Sequence, residues 1–494
     1  MGESRSRETP AAAAGTPRAL TAGVTFRALP LALHFVLPFV LPFVPAFTAL
    51  AVIAPGAASA QGIRAMTLPE ALSTARAHQP SLRAALARVA AAAAETRISR
   101  AQWQPSFGAT VQAFEGTTNN TTALFVGAPK LDLPRIGGTK TDDVGSWSPS
   151  TSTLAAVGGT QEVFDFGRIA AQAAVADAAL QAERHRADGE RLRVDLLVRE
   201  AYYGVEGAHA VARAARDAHT RAQAHRDLAA ASVRSGMHAP IELTRAEADL
   251  ARFDVGQRRA EGALRGAQTV FAAAVGVDDA QLDAVGAPEE APPPPDVDEA
   301  VTRALARAPE LREARVRVAG AETAARAIGA ELRPDLALTA TLSGRIGTAQ
   351  PSGGPIADKD GPWPAVPNWD VGLVLRWPLW DGVVRARRDA ATGRADVARA
   401  DLATLSREAA AAVERAYVDL DVARATLVSL GRAVDAALAN GAQADARFKA
   451  GLGTSLELAD AEALRTDAEI QLAVGRFDVL RARAVLVRLL AEEL

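Results

Sequence analysis

Cysteine is absent from the chain. Without it there is no disulfide, no thiolate nucleophile and no cysteine-based metal site, and a cysteine-anchored lipoprotein is excluded. Aromatic residues are scarce, at 5% of 494 positions. Large aromatic side chains normally dominate globular cores, so several compact domains are not expected. Ala-rich sequence in long periodic runs suits close-packed long helices instead. One-sided charge is missing as well. The formal net charge is −3 and Lys and Arg are dispersed, which argues against nucleic acid as a partner. There is no phosphate loop, no G-x-S-x-G and no H-E-x-x-H. The seven histidines are scattered; His209, His219 and His225 fall on one predicted helix but not on one face of it. No enzyme activity, cofactor or metal site is therefore expected. Beyond residue 60, no stretch is apolar enough to span a membrane as a helix, so any crossing by the mature protein must be β.

The N-terminus reads as an address. Arg5, Arg7, Arg18 and Arg27 precede an apolar run from Leu29 to Ile53, and Ala58-Ser59-Ala60 has the small-residue form of a cleavage site. This is the pattern of a secretory signal. A spanning helix is the alternative; Pro30, Pro38, Pro42 and Pro45 favour the signal.

The rest of the chain is doubled. Leu68 to Pro105 and Val297 to Pro334 align without a gap, Pro80 on Pro309 and Pro105 on Pro334. Each copy reads as helix broken at its first proline and ended at its second. The period then changes from helical to two. Phe107, Ala109, Val111 and Ala113 alternate with small or polar residues, as do Leu336, Leu338, Ala340 and Leu342. That is a strand with two different faces. Gly/Pro/Thr-rich loops follow, and a returning strand closes each hairpin.

A long helix comes next in each half, expected to begin at Phe164-Asp165 and Trp380-Asp381 with Asp as N-cap. It runs without proline to about Ser232 and Phe448, a length of roughly 100 Å. Val194, Val198, Ala201, Val205, Ala208, Ala212 and Ala215 step alternately by four and three, a coiled-coil seam, matched by Ala409, Val413, Ala416, Leu420, Ala423, Leu427 and Leu430. Gly-centred turns near Gly236 and Gly451 end these helices, and a return helix follows each.

The expected layout is a signal over 1–60 and a first repeat over 61–290, with a hairpin at about 106–163 and a tip turn at 234–243. A Pro-rich linker at 291–295 leads to a second repeat over 296–494, with a hairpin at about 335–379 and a tip turn at 449–458. The six tryptophans lie in or beside the hairpins, among them Trp103, Trp147, Trp369, Trp377 and Trp380. Such a placement suits the aromatic girdles of an outer-membrane barrel embedded in a lipid bilayer. Four strands cannot close a barrel with a lumen, so several copies must share one; three would give twelve strands. A periplasmic coiled-coil scaffold without channel activity is the alternative that the heptads allow.

In the doubled L-x-E-A/V-x-x-A and P-x-L-R pattern (Leu68 to Arg83, Val297 to Arg312), the post-strand Phe164-Asp165 and Trp380-Asp381, and the turns near Gly236 and Gly451, the chain resembles the outer membrane efflux protein family, the TolC type. The resemblance spans Thr67 to Leu494. It implies a mainly α fold with a β-barrel part: a homotrimer with a 12-stranded outer-membrane barrel over a periplasmic α-barrel. Such a trimer is the exit duct of a tripartite efflux pump or a type I secretion system. Its implied partners are a periplasmic adaptor (a membrane fusion protein) and an inner-membrane transporter of RND, ABC or MFS type. It further implies that Glu457 and Asp460 form the pore constriction. The adaptor would be met by Arg234, Gly236 and Met237 and by Lys449, Gly451, Leu452, Gly453 and Thr454.

Overall fold

The computed structural model describes residues 64–117, 149–278, 281–286, 294–347 and 367–492. The expected signal, residues 291–293 of the linker and Trp147 lie outside the described residues.

The first half opens with a short strand, β1 (Arg64–Met66), and the helices α1 (Leu68–His78) and α2 (Pro80–Ala101). Strands β2 (Ser106–Thr117) and β3 (Pro149–Phe164) form the hairpin, and α3 (Arg168–Arg234), α4 (Pro240–Val275) and a three-residue strand, β4 (Leu282–Ala284), complete it. The second half repeats the order with α5 (Val297–Arg307), α6 (Pro309–Ala330), β5 (Asp335–Gly347), β6 (Pro367–Arg376), α7 (Gly382–Lys449) and α8 (Ser455–Leu489). Each break after α1 and α5 falls at its proline, which is accommodated as the first residue of the next helix. None of the described helices is long and apolar enough to cross a membrane.

The two long helices have 67 and 68 residues, and two shorter helices cover each of them. Helix α3 packs against α2 and α4 and against α6 and α8, and α7 packs against α6 and α8. The short staves meet end to end. Gln79, between α1 and α2, donates its amide to the Ala274 carbonyl at the end of α4 (2.9 Å). Gly276 follows α4 with φ +77°, and a Cβ there would lie 3.0 Å from Gln79 Cα, so both the turn and the close approach require glycine. At the other junction Arg488 near the end of α8 pairs with Glu310 at the start of α6 (2.9 Å).

The coiled-coil seam is the core. Val194, Val198, Val205 and Ala212 are fully buried, as is Val413, with Leu420 nearly so. Two tyrosines at corresponding places tie the long helices to the segments between the halves. Tyr202 donates to the Val285 carbonyl (2.9 Å) and Tyr417 to that of Pro295 (2.6 Å). Burial, with Glu206 and Tyr203 nearby, pushes the Tyr202 hydroxyl up to about 12, so it remains a donor at every physiological pH.

Two details differ from the sequence-based expectation. Helix α3 begins at Arg168 rather than at Asp165. Phe166 (φ +52°) and Gly167 (φ +88°) first turn through the left-handed region, and Asp165 reaches over this turn to accept the Gly167 N–H (3.0 Å) and the Ile169 N–H. In the second half Asp381 is the N-cap itself, accepting from Val383 (2.7 Å) and Val384 (3.2 Å). The second difference is a parallel pairing of β1 with β4, Arg64 to Leu282 through Met66 to Ala284, which sequence reasoning did not anticipate.

Candidate functional site

Two regions carry functional geometry: the four-stranded sheet and the pair of helical turns at the far end of the long helices.

The sheet has the order β2-β3-β5-β6, every pair antiparallel. Registry lines up Ala109, Val157, Leu342 and Trp369 in one cross-strand row and Phe107, Gly159, Ala340 and Val371 in another. The large side chains of this face are exposed: Phe107 78%, Val111 74%, Trp369 75%, Leu373 64%. Phe107 lies over Gly159, where a Cβ would come within 2.7 Å of its ring. The opposite face carries Thr110, Gln112, Thr160, Thr339, Thr341 and Ser343, and Thr341 and Ser343 are buried in the hollow of the sheet. An apolar face turned outward and a hydroxyl-rich face turned inward is the pattern of a lipid-facing barrel wall. From Trp369 to Trp377, just past the end of β6, the chain runs eight residues, roughly 26 Å when extended, with Val371, Leu373 and Leu375 exposed between them. Trp103, Trp377 and Trp380, all exposed, lie at the helical end of the sheet. Strands β2 and β6 are its edges.

At the tip, both turns are built alike. Gly236 (φ +76°) and Gly451 (φ +72°) take the left-handed conformation. The N–H of Met237 reaches the Ser232 carbonyl (3.0 Å), and that of Leu452 reaches Arg447 (2.9 Å), so each helix ends in a Schellman motif. Met237 and Leu452 stand at equivalent positions, 62% and 74% exposed. Arg234 ends α3 and Lys449 ends α7, where it pairs with Asp445 (2.7 Å). Thr454 caps α8 by accepting from the Glu457 N–H (3.3 Å). Gly453 is tightly enclosed; a Cβ would lie 3.2 Å from each of Arg447 Cβ, Phe448 N and Glu457 Oε2.

Glu457 and Asp460 are both exposed, one helical turn apart on α8. Glu457 faces Arg447 at 3.5 Å. Their first-half counterparts behave differently. Glu242 is buried and accepts the Ser455 N–H (2.8 Å), while Ser455 Oγ donates to the Glu242 carbonyl (3.3 Å). Burial pushes the Glu242 carboxyl up, but the Ser455 donors, with Arg245 and His238, outweigh it and hold it below its ordinary value. One side chain thereby fastens the first turn to the second. Arg221 on α3 strengthens the link, pairing across to Glu462 (2.6 Å) and Glu469 (3.4 Å) on α8. Phe448, buried among Ala229, Ala246 and Leu458, is stacked on by His238 with ring centroids 4.8 Å apart. Sequence reasoning missed this inter-hairpin clamp; the only available sign was a Glu three residues into each return helix.

Comparison with known proteins follows the same geometry. The model of the outer membrane efflux protein family matches residues 71–277 and 300–492. No curated protein matches. Among solved structures the chain is similar to the outer-membrane channel OprN (23% identity, TM-score 0.69, covering 86% of this chain and 90% of that one). It is also similar to the outer membrane protein VceC of Vibrio cholerae (18%, 0.66, 86% and 96%). A third likeness is to the outer membrane channel MtrE of Neisseria gonorrhoeae, solved in its open state (18%, 0.63, 86% and 88%).

Proposed function

The chain belongs to the outer membrane efflux protein family, and we propose that three copies of it form the exit duct of a tripartite pump or type I secretion system. The observation that carries this reading is the two-faced sheet with free edges at β2 and β6. Each edge offers a row of unpaired backbone groups that the apolar interior of a membrane cannot leave unsatisfied. Pairing β6 of one copy with β2 of the next satisfies them, and three copies close a barrel of twelve strands. Trp369 and Trp377 set the height of its apolar belt, with Trp103 and Trp380 at the periplasmic rim.

Below the barrel, the helices of three chains enclose a periplasmic tunnel. Its tip carries Glu457 and Asp460, three of each, as two rings of negative charge. Such rings favour cations over anions. The paired turns dock a periplasmic adaptor. Met237 and Leu452 supply exposed apolar anchors, Arg234 and Lys449 supply charge, and Gly236, Gly451, Gly453 and Thr454 shape the loops. The adaptor joins the duct to an inner-membrane transporter of RND, ABC or MFS type, which supplies the energy and selects the cargo. The duct itself is a passive conduit.

Protein extracted from the outer membrane and placed in planar bilayers tests this. The expected result is discrete, cation-selective conductance steps. Folded protein that gives no conductance overturns the reading.

A further inference from the structure

Phe448, one residue from the end of α7, is 1% exposed and meets two histidines of the first hairpin. His225 of α3 stands edge-on to its ring and His238 of the turn lies flat on it, both with ring centroids 4.8 Å away. Both ring nitrogens of His225 are buried and have no hydrogen-bond partner among the described residues, and the same is true of His238 Nε2. In such a place a neutral imidazole leaves one donor and one acceptor unmet. An imidazolium leaves two donors and a charge unmet.

Four carboxylates face His225: Glu242 and Asp249 from α4, Asp445 from α7 and Glu462 from α8. Each already has a cation of its own. Arg245 pairs with Glu242 (3.2 Å), Arg252 with Asp249 (3.6 Å), Lys449 with Asp445 (2.7 Å) and Arg221 with Glu462 (2.6 Å), and Arg465 lies 4.0 Å from the last. On α3 itself Arg226 lies beside Asp227 (3.1 Å). The carboxylates therefore attract a proton to His225 only weakly. Burial, the largest influence, holds its pKa below the ordinary histidine value.

We propose that His225 is a proton-operated latch on the tip: neutral, it admits Phe448 and keeps the two hairpins of the chain together; protonated, it expels Phe448 and lets them part. The proton comes from bulk water and returns to it. Once the hairpins part, water reaches the imidazole and its pKa returns to the ordinary value. The latch is therefore fully closed above that value and weakens as pH falls from it through the lowered one. The ratio of parted to latched tips rises by about tenfold for each unit that separates the two values. This step begins in the histidine range. Glu242, held below the ordinary carboxyl value, acts at lower pH, and Glu242→Gln removes only the lower of the two steps. The latch joins two hairpins of one chain and does not rest on conduction through the duct.

The chain has no cysteine, so Met237→Cys and Leu452→Cys, at exposed equivalent positions of the two turns, give unique sites for spin labels. The full protein extracted from the outer membrane, with one labelled chain per complex, is titrated from about pH 8 to about pH 5, which brackets the ordinary histidine value. Double electron–electron resonance reads the distance between the labels. The expected result is a short distance that gives way to a longer one as pH falls, in a one-proton transition. His225→Leu, which has no titrating nitrogen, should keep the short distance throughout. A wild-type distance that stays constant over this range overturns the proposal, and so does a His225→Leu titration that follows wild type. Should His225→Leu fail to fold, His225→Gln takes its place, with the same loss of the pH step expected.

Discussion

Replacing Glu242 by Ala should open the resting duct. The Glu242 carboxylate accepts the Ser455 N–H at 2.8 Å in a buried setting. That N–H belongs to the first residue of α8, one of the donors that a helix cannot satisfy internally. Removing the acceptor forfeits a charge-assisted bond and strands a buried donor, a loss of about 2 kcal/mol. If the tie exists only while the two turns are together, the ratio of open to closed tips rises by about thirtyfold, since 1.4 kcal/mol is a factor of ten. Glu242→Gln keeps an uncharged acceptor and should shift the ratio by about fivefold, a loss of about 1 kcal/mol. Ser455→Ala deletes only the 3.3 Å hydroxyl bond and should have the mildest effect. Acid gives an independent handle. The folded Glu242 pKa lies below its ordinary value, so the tie is fully present above the unfolded carboxyl's pKa and is lost as pH falls through the lowered folded value. Acidification should open wild type, while the Gln variant shows no such step. Open probability in planar bilayers is the assay. Wild-type open probability in a correctly folded Glu242→Ala protein would refute the clamp.

Three further outcomes follow from the same structure. Arg221→Met removes the cation that holds Glu462 and Glu469 across the hairpins. The groups are partly exposed, so about 1–2 kcal/mol is expected, read as a raised open probability that adds less than fully to Glu242→Ala. Leu373→Arg places a charge on the outward face of β6, at a cost of roughly 2–4 kcal/mol near mid-membrane; heat-modifiable oligomers in the outer-membrane fraction should fall sharply, whereas Thr339→Ser on the inward face should leave them unchanged. Neutralising Glu457 and Asp460 together should lower cation over anion permeability, measured as reversal potential in a salt gradient, and an unchanged reversal potential removes them from the constriction.

How far the sequence reaches depends on whether a feature has a period. The long helices are legible because the seam from Val194 to Ala215 repeats over many turns, and six of its seven residues, all but Ala208, are buried in the structure. The hairpins are legible because Phe107 to Ala113 and Val371 to Trp377 alternate strictly. Strand β3 alternates poorly, yet it pairs along its length with β2 and β5; its Gly158 and Gly159 break the pattern because Phe107 packs over the second of them. The β1–β4 pair has three residues a side and joins segments far apart in the chain, too short to show any period. The clamp was hidden for a different reason. Glu242 and Glu457 occupy like positions after their turns, and sequence gives them like roles. The structure separates them, burying Glu242 against Ser455 and leaving Glu457 exposed, a distinction made by packing between the halves rather than within either one.

The proposed duct requires the four strands of each chain to share one closed barrel. Native mass spectrometry of the complex extracted from the outer membrane tests that most directly. Three chains per complex is the predicted result. A single chain or a pair would contradict it, because four or eight strands of this sheet would leave the twelve-stranded duct unbuilt.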